Sequence, residues 1–131
     1  MGLEFALDQK PFDLVCIMAG TNDLGSAVDV GKIEENILNL HNKVHERQIN
    51  TLAIGIPESD FCKRVGIGEK KRKSVNKRLQ NEALECERMH FVENPVKFNR
   101  DNFAVDGLHF SKVGYEVLGN FIGANLDMIL K

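Results

Sequence analysis

Three strand-like segments separated by helix-like spacings constrain this chain more than any other feature. Residues 12–18 form an apolar-rich run containing Val15 and Ile17, the pattern of a strand buried on both faces. Residues 51–57 repeat the pattern and close on Pro57, which cannot donate to a strand ladder. Residues 89–95 read as a third, shorter strand. Between the first two, Ile33, Ile37, Leu40 and Val44 recur at steps of four, three and four, one apolar stripe on a helix spanning 29–47 with Asp29 as its N-cap. Val75, Leu79, Ala83 and Cys86 mark a second helix over 70–88, after a loop that begins at Glu58. A last helix starts at Ser111, the expected cap, and buries Val113, Val117, Phe121 and Ile122, continued by Leu126 and Ile129. Strand–helix alternation of this kind predicts a parallel sheet wound by right-handed crossovers, with helices covering it.

Size and charge narrow the function. With 131 residues and no repeat or linker, one domain is expected. The net charge of −2 supplies no basic field, so no nucleic-acid partner is expected. No apolar run approaches the ~20 residues that span a bilayer. The three cysteines, Cys16, Cys62 and Cys86, form no C-x-x-C pair. Neither a disulfide framework nor a zinc site is expected, and Cys16 and Cys86 read as small buried hydrophobes. Residues 1–10 carry acids and lack an apolar core, so they do not read as a signal peptide, and the cytoplasm is the default compartment.

In open parallel sheets, chemistry collects at the carboxyl ends of the strands. Two polar clusters fall there. Gly20-Thr21-Asn22-Asp23 follows the first strand, and the run from Asp106 to Tyr115 lies between the last strand and the last helix. Asp106 and His109 are three residues apart. A carboxylate at that distance can fix one imidazole nitrogen and leave the other as general base. Asn22 offers an amide N–H suited to a developing oxyanion, and Gly20 allows a tight turn. Singly, each has a plainer reading: Asn and Asp after a strand form turns, and an Asp near a His makes a surface hydrogen bond. The combination, in this order, is more specific.

"VCIMAGTNDLG" followed by "VDGLHFSKVGYEVLG" resembles the SGNH hydrolases, also called GDSL-type esterases and lipases. The resemblance covers about residues 5–126. It implies a flavodoxin-like three-layer α/β/α sandwich around a parallel sheet, of which this chain would supply the last three strands. It further implies an oxyanion-hole role for Asn22 with Gly20, a supporting loop of Thr21 and Asp23, and a catalytic Asp106–His109 pair. The implied substrate is a small-molecule ester, such as an acyl lipid or acylated sugar, and no metal or organic cofactor is needed.

Two blocks of that family are missing. Its nucleophile sits in a Gly-Asp-Ser sequence after the first strand, and a glycine oxyanion donor follows the second; neither block is present. The serines here are Ser26, Ser59, Ser74 and Ser111, none in that context. Residues 2–11 look like the tail of the helix that precedes the family's third strand. The expectation is therefore a single partial domain over 1–131, inactive alone, with a bare apolar edge at 12–19 that invites self-association. The competing expectation is a noncatalytic binding or assembly module that pairs through that edge.

Two features stand outside this reading. His41 and His45 are spaced i, i+4, which can bind a metal, but no third ligand accompanies them, and they read as flanking the apolar stripe. Residues 69–73, Glu-Lys-Lys-Arg-Lys, can touch phosphate or form a solvated helix face; the acidic total favours the second. The run is not a P-loop, because the G-K-[ST] ending is missing.

Overall fold

Each of the three apolar segments pairs with the next in a parallel sheet. The computed structural model describes residues 2–25, 28–64 and 66–130. Its strands are β1 (Leu14–Ile17), β2 (Asn50–Ile54) and β3 (Met89–Val92), in the order β1-β2-β3. Leu14 lies beside Asn50 and Ile17 beside Ala53; Thr51 lies beside Met89 and Ile54 beside Val92. The described helices are α1 (Gly2–Gln9), α2 (Val30–His45), α3 (Asp60–Arg64), α4 (Gly66–Glu85) and α5 (Lys112–Leu130).

The period of two along β2 decides the layers. Ala53 points into a core with Ile33 and Ile37 of α2 and Val75 and Leu79 of α4. Leu52 and Ile54 point the other way, onto Leu118, Ile122 and Ile129 of α5. The result is the expected α/β/α sandwich. α1 packs beside α2 through Leu7, Val44 and Ile17. Leu52 is fully buried. Leu52→Ala is expected to destabilise the fold by about 2–5 kcal/mol, the range for a truncated core leucine. A urea midpoint unchanged from wild type would contradict this placement.

Several boundaries and burials differ from the sequence reading. The strands are shorter than 12–18, 51–57 and 89–95, because chain beyond each pairing register turns away to build loops. The loop expected from Glu58 contains α3 and the first turns of α4. Ser59 caps α3: its Oγ accepts the Cys62 N–H at 3.1 Å, a signal the sequence carried in Ser59-Asp60. Asp29 does sit at the start of α2, but its side chain makes no capping bond. Ser111 does cap α5, accepting the Gly114 N–H at 3.2 Å while donating to the Asp101 carbonyl. Val113 is exposed rather than buried; Gly114 and Leu118 turn inward beside the expected Val117. Cys16 is exposed, not a buried hydrophobe. It lies on the α5 face of β1, a strand with no paired neighbour on its outer side among the described residues, and Cys86, expected buried, is half-buried.

His41 and His45 turn inward onto β2. His41 Nδ1 and His45 Nε2 stand 2.7 and 2.9 Å from the same Thr51 hydroxyl. That oxygen donates to one ring and accepts from the other, which fixes complementary tautomers. No group of three or more metal-ligating side chains occurs among the described residues.

Candidate functional site

A cleft of about 440 Å³ opens at the carboxyl end of β1. Met18 to Asp23 form one wall; Leu108, His109 and Phe110 form the other, with Pro57 and Tyr115 beside them. Four of the six residues singled out in the sequence, Gly20, Thr21, Asn22 and Asp23, therefore face His109 across one space. Asp106 stands behind His109.

The first wall turns sharply because of Gly20. Its φ is +110°, a conformation that side-chain-bearing residues rarely adopt. A Cβ there would also lie 3.0 Å from Ile56 Cδ1 and 3.1 Å from Ile37 Cδ1. The chain thus passes against the core and enters a 3₁₀ turn, Asn22–Gly25, closed by Asp23 N–H on the Gly20 carbonyl at 3.1 Å. Leu24 anchors that turn in the core, and Asn22 at its start is exposed.

The second wall is a hairpin-like loop. Phe103 and Phe110 form an antiparallel bridge, the Ala104 N–H donates to the His109 carbonyl at 2.8 Å, and the Ser111 N–H to the Asn102 carbonyl at 2.8 Å. Beneath it, Phe103 packs edge-on against both Phe98 and Phe110, over Val96. Gly107 takes φ +67°, and a Cβ there would fall 2.6 Å from Asp60 Cβ. Its carbonyl accepts the Asp60 N–H at 3.0 Å, tying the loop to α3. The tip exposes Val105, Asp106 and His109, but its stem is a packed apolar cluster.

Asp106 is held by that tip. One carboxylate oxygen accepts the N–H groups of Leu108 and His109 at 2.9 and 3.0 Å; the other lies 2.5 Å from His109 Nδ1. Bonding to the His109 ring foremost, then to the two N–H groups, holds the Asp106 carboxyl down at about 2. With Nδ1 donating to Asp106, His109 Nε2 carries the lone pair and can accept a proton. Both side chains are substantially exposed.

The described residues that line this cleft include no serine. Ser59 is buried under α3, Ser111 caps α5 and Ser74 lies on α4; Ser26, also considered from the sequence, lies outside the described residues. The sequence reading did not single out Phe110 and Tyr115 as cleft residues. Phe110 and Tyr115 stack edge-on, with ring centroids 5.3 Å apart. Their only sequence signal was aromatic character within the Asp106–Tyr115 run.

Comparison with known proteins agrees with this architecture. The family model described as GDSL-like lipase/acylhydrolase matches residues 1–117. A solved structure described as an acylhydrolase, from Bacteroides fragilis, superposes with a TM-score of 0.74 at 23% identity, over 91% of this chain and 63% of that one. A GDSL-like lipase from Bacteroides thetaiotaomicron superposes with a TM-score of 0.72 at 22% identity, over 88% of this chain and 62% of that one. At such identities the likeness establishes the fold. This chain spans less than two thirds of the length of either structure. No curated protein matches it.

Proposed function

Because the chain belongs to the GDSL-like lipase/acylhydrolase family, we propose that it carries the acid–base and oxyanion-binding half of a serine ester hydrolase whose nucleophile lies in a preceding segment. The observation that carries this reading is the Asp106–His109 pair, 2.5 Å apart, facing Asn22 across a cleft whose described lining holds no serine. Residues 1–131 are then a partial domain, and the complete protein acts on small-molecule esters of the acyl-lipid or acylated-sugar kind.

In this reading the serine Oγ bonds to the acyl carbon as His109 Nε2 takes the hydroxyl proton. The carbonyl π electrons move onto the oxygen, and the Asn22 amide N–H stabilises that oxyanion, with the backbone turn at Gly20 keeping the approach open. When the C–O bond to the leaving alcohol breaks, His109 returns the proton to it. Water then cleaves the acyl-serine by the same sequence. Asp106 orients the imidazole and stabilises its charged form without taking the proton. Thr21 and Asp23 support the turn that presents Asn22. No metal or organic cofactor enters any step. No described helix is long and apolar enough to cross a membrane.

The isolated chain is expected to hydrolyse p-nitrophenyl acetate no faster than its His109→Ala variant, and to remain unlabelled by a fluorophosphonate probe. Labelling that is lost in His109→Ala would place the nucleophile within these residues and overturn the division. A second reading, an assembly module, draws on the outer edge of β1, where Cys16 is exposed and Met18 is 37% exposed. Concentration-dependent dimers in sedimentation would favour it, and a monodisperse monomer would count against it.

A further inference from the structure

The carboxyl ends of β2 and β3 open into a second groove of about 360 Å³, which shares Pro57 with the cleft that holds His109. One wall is α4, which presents Arg72, Lys73, Asn76 and Lys77; the other is the segment after β3, ending at Lys97. The frame is rigid. Asn76 accepts the Ile56 N–H at 2.7 Å and donates to the Ile56 carbonyl at 3.1 Å. Asn94 donates to the Gly55 carbonyl at 3.0 Å. Arg72 is committed to structure: Nε and Nη2 hold Glu69 at 3.0 and 2.6 Å, and Nη1 donates to the Ile56 carbonyl at 3.2 Å.

The three lysines are differently placed. Lys73, Lys77 and Lys97 are exposed, and none makes a salt bridge among the described residues. The carboxylates lining the groove are Glu58 and Glu93. With Arg72 neutralised by Glu69, three lysines against two acids leave a net positive groove on a chain of net charge −2. The basic run at 69–73, read from sequence as a solvated helix face, thus supplies part of a wall.

We propose that this groove binds a phosphate group. Lysine ammoniums are compact point charges with rotatable donors. With the planar Arg72 fork already filled by Glu69, the described lining offers no second fork for a flat carboxylate, and its three lysines suit a tetrahedral phosphate anion instead. Pro57 makes the groove contiguous with the His109 cleft. If the ester-hydrolase reading holds, on which this extension rests, the phosphate belongs to the substrate itself, as in a phosphate-bearing lipid headgroup.

The test is amide NMR on the 131-residue chain, titrated with inorganic phosphate at ionic strength fixed by sodium chloride. Saturable shifts are expected at Glu58, Lys73, Lys77 and Lys97. The K77E/K97E variant, keeping a dispersed spectrum, is expected to bind about tenfold more weakly or worse. K77Q/K97Q replaces it if dispersion is lost. A second arm uses short-chain phosphatidylglycerol below its micellar concentration. Added shifts at Gly20 and Leu108 would identify an ester substrate carrying the phosphate; shifts confined to the groove would identify free phosphate as the ligand. No saturation in either arm, or equal binding by a folded double variant, would overturn the proposal. Failure to find a serine in a preceding segment would overturn the hydrolase reading and leave the inorganic phosphate arm unaffected.

Discussion

Replacing His109 with alanine in the complete hydrolase should lower kcat/KM by at least about 10⁴-fold, the scale on which triad members act. The expectation rests on geometry. The imidazole in the described lining of the cleft is that of His109, and Asp106 lies 2.5 Å from its Nδ1. Asp106→Asn should cost on the order of 10⁴-fold in kcat, because an amide can present its N–H to Nδ1 and favour the wrong tautomer. The carboxyl of Asp106, held at about 2, stays ionised at any pH used for an ester assay, so its loss is not mimicked by mild acid. Asn22→Ala should fall about 10²–10³-fold, as for other single oxyanion donors. His109 and Asp106 act as a unit, so the double variant should be little worse than His109→Ala alone. Steady-state kinetics on a soluble ester reads all four proteins. A His109→Ala enzyme within tenfold of wild type would contradict the assignment.

Mild acid should destabilise the fold by roughly 3 kcal/mol between neutrality and pH 4, most of it through His41. His41 is 1% exposed, its Nδ1 is bonded to Thr51 and its Nε2 has no hydrogen-bond partner among the described residues. Burial, with a smaller contribution from His45, pushes its pKa down from 6.5 to about 4. The unfolded chain therefore takes up a proton as pH falls below about 6.5, while the native state resists until about 4. Over that window the unfolded state binds more protons, so stability falls as pH falls. His45 moves in the same direction, through burial and the nearby Arg88 charge. Against a typical total of about 5–15 kcal/mol, the loss is large. Urea midpoints at pH 7, 5.5 and 4.5 should decline steadily in the wild type and much less in His41→Leu. A flat wild-type profile would show that the pair is not held neutral.

The layers were legible in the sequence because their signals are local. The apolar run at 51–57 reports a strand covered on both faces, and the stripe at Ile33, Ile37, Leu40 and Val44 reports a helix face to cover it. The cleft was legible because Gly20 to Asp23 and Asp106 to His109 follow strands that end on one side of the sheet. The exposure of Cys16 was not legible: apolar runs report burial only when a neighbour is present to supply it, and β1 has no paired neighbour on its outer side among the described residues. Val113 was misassigned because helical spacing alone leaves the rotation of α5 open by one position, and tight packing of Gly114 settles it. The Thr51 hydroxyl between His41 and His45 depends on strand register, which no local pattern specifies. The wall formed by Lys73 and Lys77 becomes a groove only when Lys97 arrives from another segment.

The most direct test of the division of labour is to read the native transcript upstream of the Met1 codon by 5′ extension. The account predicts an open frame that continues through an apolar strand into Gly-Asp-Ser, supplying the serine that His109 would activate. An in-frame stop codon immediately before Met1 would contradict it, and would leave the β1 edge and the lysine groove as the features that define what this chain does.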